Sequence, residues 1–176
     1  MTEPERYCVH IGAAGPQALI SVQADGQAGP AIDAVLGVPL PAMSGTFLRA
    51  AATGMSFDVL QPGPREWLLR LPADLEPALL ARLQASVADL HAAVTRLSDA
   101  YEVFELRGRD AAAVLALGCP LDLESLLASA CARSLLARAP VLIAPLPNSE
   151  GFEIWVERSH APYLRQWLET AGAGTR

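Results

Sequence analysis

An α+β domain, an antiparallel sheet with helices, is what this sequence predicts. Three observations carry that reading. Glu66–Leu71, Tyr101–Arg107 and Phe152–Glu157 read as strands, the last two with alternating residue character. Segments of helical period follow, so residues 44–90 and 91–172 make two strand–strand–helix passes, the second one longer. No long flexible run separates the passes, so residues 1–176 are read as a single domain.

The elements follow in order. Residues 1–6 read as a loose tail. Tyr7–Ile11 and Leu19–Gln23 read as short strands, with turns at Gly12–Pro16 and Asp25-Gly26. A helix over Pro30–Leu36 starts on proline and stops at Gly37. Pro39 and Pro41 then enforce extended chain. Phe47–Ala52 and Phe57–Leu60 are strands around Gly54, and Pro62-Gly63-Pro64 is a tight turn. Glu66–Leu71 is apolar enough to lie within a sheet. Asp74 caps a helix with Pro77 in its first turn; Leu75, Leu79, Leu80, Leu83 and Val87 form its buried face.

His91–Leu97 alternates through Ala93, Thr95 and Leu97, a strand, and Ser98-Asp99-Ala100 is a loop. Tyr101–Arg107 turns Glu102, Phe104 and Leu106 to one side and Val103 to the other. Asp110–Leu117 is a short helix buried through Val114, Leu115 and Leu117. It stops at Gly118, which a positive φ would suit, and Pro120 prevents continuation. Asp122 ties down the turn that follows. Glu124–Ala130 is irregular or loosely helical; Cys131–Leu136 and Pro140–Pro145 are antiparallel strands joined around Arg138. Pro147–Gly151 is a turn cluster. Ser159 caps a last helix lined by Leu164, Trp167, Leu168 and Ala171 and ended by Gly172, before a tail.

Composition narrows function by exclusion. The net charge is −6 and no lysine is present, only thirteen dispersed arginines. No basic run exists, so nucleic acid is not an expected partner. The absence of lysine excludes Schiff-base chemistry and a phosphate-loop lysine. No apolar run suits a signal peptide or membrane span, so no membrane association is expected. Charged residues are 18%, below the ~25% of ordinary domains. Two readings fit: an alanine-rich globule, or a subunit that hides surface against partners.

Cys8, Cys119 and Cys131 match no zinc spacing and suit a reduced, cytoplasmic setting as small buried residues. Cys119 follows a helix carbonyl end, whose partial negative charge opposes a nucleophilic thiolate. His10, His91 and His160 are far apart and form no metal spacing. No catalytic residue and no metal site emerge.

Several short stretches together carry a resemblance. They are Gly63-Pro64-Arg65-Glu66-Trp67-Leu68-Leu69, Ser98-Asp99-Ala100-Tyr101, Leu106-Arg107-Gly108-Arg109-Asp110-Ala111, Gly118-Cys119-Pro120-Leu121-Asp122-Leu123, Cys131-Ala132-Arg133-Ser134-Leu135-Leu136 and Arg158-Ser159-His160-Ala161-Pro162-Tyr163-Leu164. In order and spacing the chain resembles the gamma subunit of heterotetrameric sarcosine oxidase, within a core of 44–172; residues 1–43 are weakly matched. The family commonly has glycine where Ala130 stands and Gly-Lys where Ala137-Arg138 stands.

The resemblance implies a fold like the folate-binding domain of aminomethyltransferase. It implies a non-catalytic subunit, inactive alone, in a cytoplasmic complex that oxidatively demethylates sarcosine or a related N-methyl amino acid. Partners would be alpha, beta and delta subunits. Those subunits would carry FAD, FMN, NAD, tetrahydrofolate and zinc, and this chain no cofactor. The alternative is a free-standing tetrahydrofolate-binding or one-carbon transfer protein. In such a fold Asp99 and Asp122 are the candidates to hold a pterin, against a plainer reading as turn anchors.

Overall fold

The structure, a computed structural model, describes residues 6–15, 17–126, 129–146 and 150–175. The elements are β1 (His10–Ala13), β2 (Gln17–Ala24), α1 (Gly29–Leu36), β3 (Thr46–Ala52), β4 (Met55–Gly63), β5 (Glu66–Pro72), α2 (Glu76–Ser86), β6 (Ala92–Arg96), β7 (Tyr101–Arg107), α3 (Ala111–Ala116), β8 (Ala132–Leu136), β9 (Ala139–Pro145), β10 (Gly151–Glu157) and α4 (Ala161–Gly172). Backbone packing divides the chain into two units, Gly15–Asp99 and Met1–Ala14 with Ala100–Arg176. Each holds a five-stranded antiparallel sheet, ordered β3-β4-β5-β2-β6 and β1-β7-β10-β9-β8 respectively. Among the described residues no helix is long and apolar enough to cross a membrane.

The α+β class with antiparallel strands holds, as two sheets. The passes divide at different places. β2 pairs with β5 on one side and β6 on the other, so the unit containing residues 44–90 also takes in β2 and β6. A reading along the chain cannot see such long-range pairing.

In the Gly15–Asp99 unit, α1 has Pro30 in its first turn and Gly37 left-handed at φ 74°, where its N–H donates to the Asp33 carbonyl at 2.8 Å. Ile20, Val22, Ile32, Leu69, Leu79 and Leu83 build the core between sheet and helices. Asp74 forms no capping bond; a 3₁₀ turn over Ala73–Leu75 leads into α2 instead. In β6 the buried residue is Val94, with Ala93 and Thr95 exposed. β4 runs through Pro62 to Gly63, where a tight turn was expected. Its pairing with β5 shifts between Leu60 and Gly63, and this bulge accommodates a proline that cannot donate to the ladder. The turn proper is Pro64-Arg65, with Arg65 at φ 60°.

In the other unit α3 and α4 cover a core that includes Phe104, Leu106, Val114, Leu136, Ile154 and Leu164. β1 begins at His10, not Tyr7. The residues before it are held elsewhere: Tyr7 N–H donates to the Gly174 carbonyl at 3.3 Å, and Cys8 N–H to an Asp110 carboxylate oxygen at 2.7 Å. Arg6 bridges Thr175, so neither described end is a loose tail. Cys8 is exposed, unlike Cys119 and Cys131. The alternating sequence of β10 does not produce an exposed face: Gly151–Val156 are all buried. Buried Glu153 accepts a hydrogen bond from Trp155 Nε1 at 3.3 Å. Residues 127–128 of the expected irregular segment and 147–149 of the expected turn cluster lie outside the described residues.

The β8–β9 hairpin forms as expected, closing between Leu136 and Ala139 on Ala137 (φ 50°) and Arg138 (φ 73°). These are the two left-handed residues that a two-residue turn of matching twist requires. The α4 N-cap is His160; neither it nor Ser159 makes a capping bond, and Pro162 occupies the first turn. Gly172 is the last residue of α4, as expected, with Ala173 at the C-cap; a Cβ at Gly172 would come 3.1 Å from Val9 Cγ2.

Gly118 is a glycine for a different reason from the one expected. It is not among the positive-φ residues. Space decides it: a Cβ would lie 2.7 Å from Trp167 Cζ2 and 3.1 Å from the Ala137 nitrogen. Leu117, expected in the core, is 58% exposed.

Two outcomes follow for urea unfolding of the full chain. Gly118→Val should lose about 3 kcal/mol by overpacking against Trp167; wild-type stability would refute the packing account. Ala137→Gly should gain up to about 1 kcal/mol, because alanine bears a left-handed penalty that glycine lacks.

Candidate functional site

Asp99 lies in a network at the end of β6. Leu19 N–H donates to Ser98 Oγ at 2.9 Å, and Ser98 Oγ donates to Glu76 Oε1. Glu76, buried in the first turn of α2, also accepts from Arg96 Nε at 3.0 Å. Arg96 Nη1 lies 2.9 Å from Asp99 Oδ2. The hydrogen bond to Glu76, then the charges of Asp99 and Glu76, hold the Arg96 guanidinium above its ordinary pKa. Glu76 thus gathers α2, β2 and the loop after β6, while Asp99 is its exposed outer member.

Asp122 belongs to the other unit. Its Oδ1 accepts from Ser125 N–H at 3.4 Å and its carbonyl accepts from Ser125 Oγ at 3.1 Å. That is the local bonding of a turn anchor. Within neither unit do the two aspartates come together.

Cys119 is buried, its N–H donating to the Leu115 carbonyl at 2.9 Å and its Sγ 3.5 Å from Ser134 Oγ. His91 Nδ1 stands 3.9 Å from Asp25 Oδ2 on an exposed side chain, and His160 Nδ1 is 3.2 Å from Ser159 Oγ. Among the described residues no three His, Cys, Asp or Glu side chains gather to hold a metal.

A cleft of about 630 Å³ in the Gly15–Asp99 unit went unnoticed in the sequence. The Thr53-Gly54 turn closes β3 on β4 between Ala52 and Met55, which sets Arg49 opposite Asp58; Asp58 in turn lies opposite Arg70. The result is an Arg–Asp–Arg row across three strands. Arg70 donates to Asp58 Oδ2 from Nε at 2.9 Å and again from Nη2; Arg49 Nε is 3.8 Å from Oδ1 and its guanidinium stacks 4.5 Å from the Phe47 ring centre. Such a row binds charge and positions side chains; it contains no nucleophile with an adjacent base. Only strand register brings these residues together, so no local motif betrayed them.

A third region lies where α3, the β8–β9 turn and α4 meet. Ala137 N–H donates to the Gly118 carbonyl at 3.0 Å, and Tyr163 Oη donates to the Ala137 carbonyl at 2.7 Å. Leu117, Leu135 and Tyr163, beside these bonds in sequence, are exposed.

The model of the sarcosine oxidase gamma subunit family matches residues 21–174. The chain belongs to that family. The match takes in the second half of β2 and all of α1, beyond the stretches that carried the resemblance. Among solved structures, the chain is similar to a heterotetrameric sarcosine oxidase from Corynebacterium sp. U-96 in complex with pyrrole 2-carboxylate, at 27% identity and TM-score 0.84, covering 96% of this chain and 87% of that one. It is also similar to the glycine cleavage system aminomethyltransferase T from Bartonella henselae, at 19% identity and TM-score 0.70, covering 94% of this chain and 46% of that one. The gamma-subunit chain therefore has the aminomethyltransferase fold and spans less than half the length of that enzyme. No curated protein sequence matches it.

The network at β6 makes a graded expectation. Glu76→Ala should cost about 1–3 kcal/mol in urea unfolding, since it strips a buried acceptor from several partners at once. Asp99→Ala, exposed, should leave the unfolding midpoint nearly unchanged. Equal losses in both variants would refute Glu76 as the centre of the network.

Proposed function

We propose that this chain is a non-catalytic structural subunit of a flavin-dependent, heterotetrameric sarcosine oxidase-type complex. The complex oxidatively demethylates sarcosine or a related N-methyl amino acid. Its alpha, beta and delta subunits are the partners, and FAD, FMN, NAD, tetrahydrofolate and zinc reside on them. The complex works in the cytoplasm. The observation that carries this reading is the family match over residues 21–174. The likeness to a heterotetrameric oxidase along 96% of the chain supports it. So does the use made of polar side chains: Glu76, Arg96, Asp58 and Arg70 are spent on holding strands and helices together.

The fold likeness to aminomethyltransferase favours a second reading, a free-standing tetrahydrofolate-binding or one-carbon transfer protein, with Asp99 or Asp122 as the candidate to hold the pterin. Calorimetric titration of the chain with tetrahydrofolate separates the two. No heat of binding up to high micromolar ligand is expected; saturable binding lost in Asp99→Asn or Asp122→Asn would favour the second reading.

The structural role makes its own prediction for the buried thiol. Cys119→Ala should assemble and leave turnover of the complex unchanged, because the side chain serves only packing against Ser134 and its neighbours. Normal assembly with lost turnover would contradict a non-catalytic chain.

A further inference from the structure

We propose that the tip of the β8–β9 hairpin, with Leu117 and Tyr163 beside it, is the surface on which a non-identical subunit of the oxidase docks, through an apolar patch rimmed by carboxylates. This inference rests on the subunit reading above. Two independent observations point to it.

The first is charge. The chain carries a net charge of −6, yet residues 125–149 contain no Asp or Glu and include Arg133 and Arg138. The hairpin is the cationic, apolar part of an acidic protein. A partner with carboxylates at its rim is complementary to it, and a second copy of this acidic chain less so.

The second is exposure. Among the described residues, the exposed large hydrophobics are Met43 (74%), Leu117 (58%), Leu135 (51%) and Tyr163 (51%). All but Met43 lie within two residues of the Gly118–Ala137–Tyr163 hydrogen bonds. Leu135 faces away from the core that Leu136 and Ala139 enter, and its cross-strand partner Pro140 is exposed as well. Arg138 stands exposed at the turn. Exposed apolar groups around tyrosine and arginine have the composition of an interface centre. The backbone beneath is pre-ordered by the two-residue turn and the bonds to Gly118 and Tyr163, so docking requires little further ordering. β8 is also the last strand of its sheet, which leaves the hairpin's outer side unobstructed by a further strand.

The test uses an affinity-tagged full chain expressed with the other subunits of its complex. Bound subunits are identified by mass spectrometry and flavin absorbance. Wild type should recover the flavin-bearing subunits. Leu135→Glu, Leu117→Glu and Arg138→Glu should each reduce recovery by about tenfold or more, the loss typical of a charge reversed or buried at an interface centre. Met43→Glu, at the exposed methionine of the other unit, should leave recovery unchanged. Thermal melting of each isolated variant checks that the chain still folds. Recovery equal to wild type in all three hairpin variants overturns the docking surface and leaves the subunit reading intact. Wild type that recovers no subunits overturns the subunit reading and, with it, this one. Wild type that forms a homodimer dispersed by Leu135→Glu overturns the choice of partner.

Discussion

Much of one unit depends on a missing methyl group. With no Cβ at Gly118, the Trp167 ring of α4 can lie against the end of α3, and the Ala137 N–H can reach the Gly118 carbonyl. One close approach therefore joins α3, the β8–β9 hairpin and α4. Tyr163 completes the join by donating to the other polar group of Ala137, its carbonyl. Close packing tolerates almost no added volume, so any side chain at 118 must push apart all three elements. These bonds add to the strand pairing and to the core contacts of Leu136 and Ala139 that hold the edge hairpin.

The other unit is organised by turns and a buried carboxylate. Thr53-Gly54 determines which residues of β3 and β4 face each other, and so builds the Arg49–Asp58–Arg70 row. Glu76 does for the far edge what that row does for the sheet: it collects Arg96 and Ser98 around the start of α2. In both places charged groups are deployed between elements. Aminomethyltransferase shares the fold, and a shared fold leaves open which surfaces act. A family known through an oligomeric oxidase shifts attention from pockets to outward surfaces.

Strand identity was largely legible along the chain. Glu66–Leu71, Tyr101–Arg107 and the hairpin around Arg138 appear as read, because residue pattern and turn chemistry act locally. Helix caps were less legible. Asp74 and Ser159 have the right chemistry, but a 3₁₀ turn and a one-residue shift at His160 put other residues at the helix starts. Leu117 shows the same limit: its period placed it inside, and the end of a six-residue helix turned it out.

From residues alone came the α+β class, most strands and helices, the exclusion of several chemistries and the stretches that mark the family. These are properties of local pattern, readable one window at a time. The tertiary structure alone decided that there are two sheets, that β2 and β6 flank β5's side of one of them, and that Asp99 and Asp122 fall in different units. It also decided why residue 118 is glycine. Its backbone angle would admit a side chain; a tryptophan 49 positions later in the chain would not. Contacts between distant residues have no local signature, and here they set both the packing and the surface left exposed.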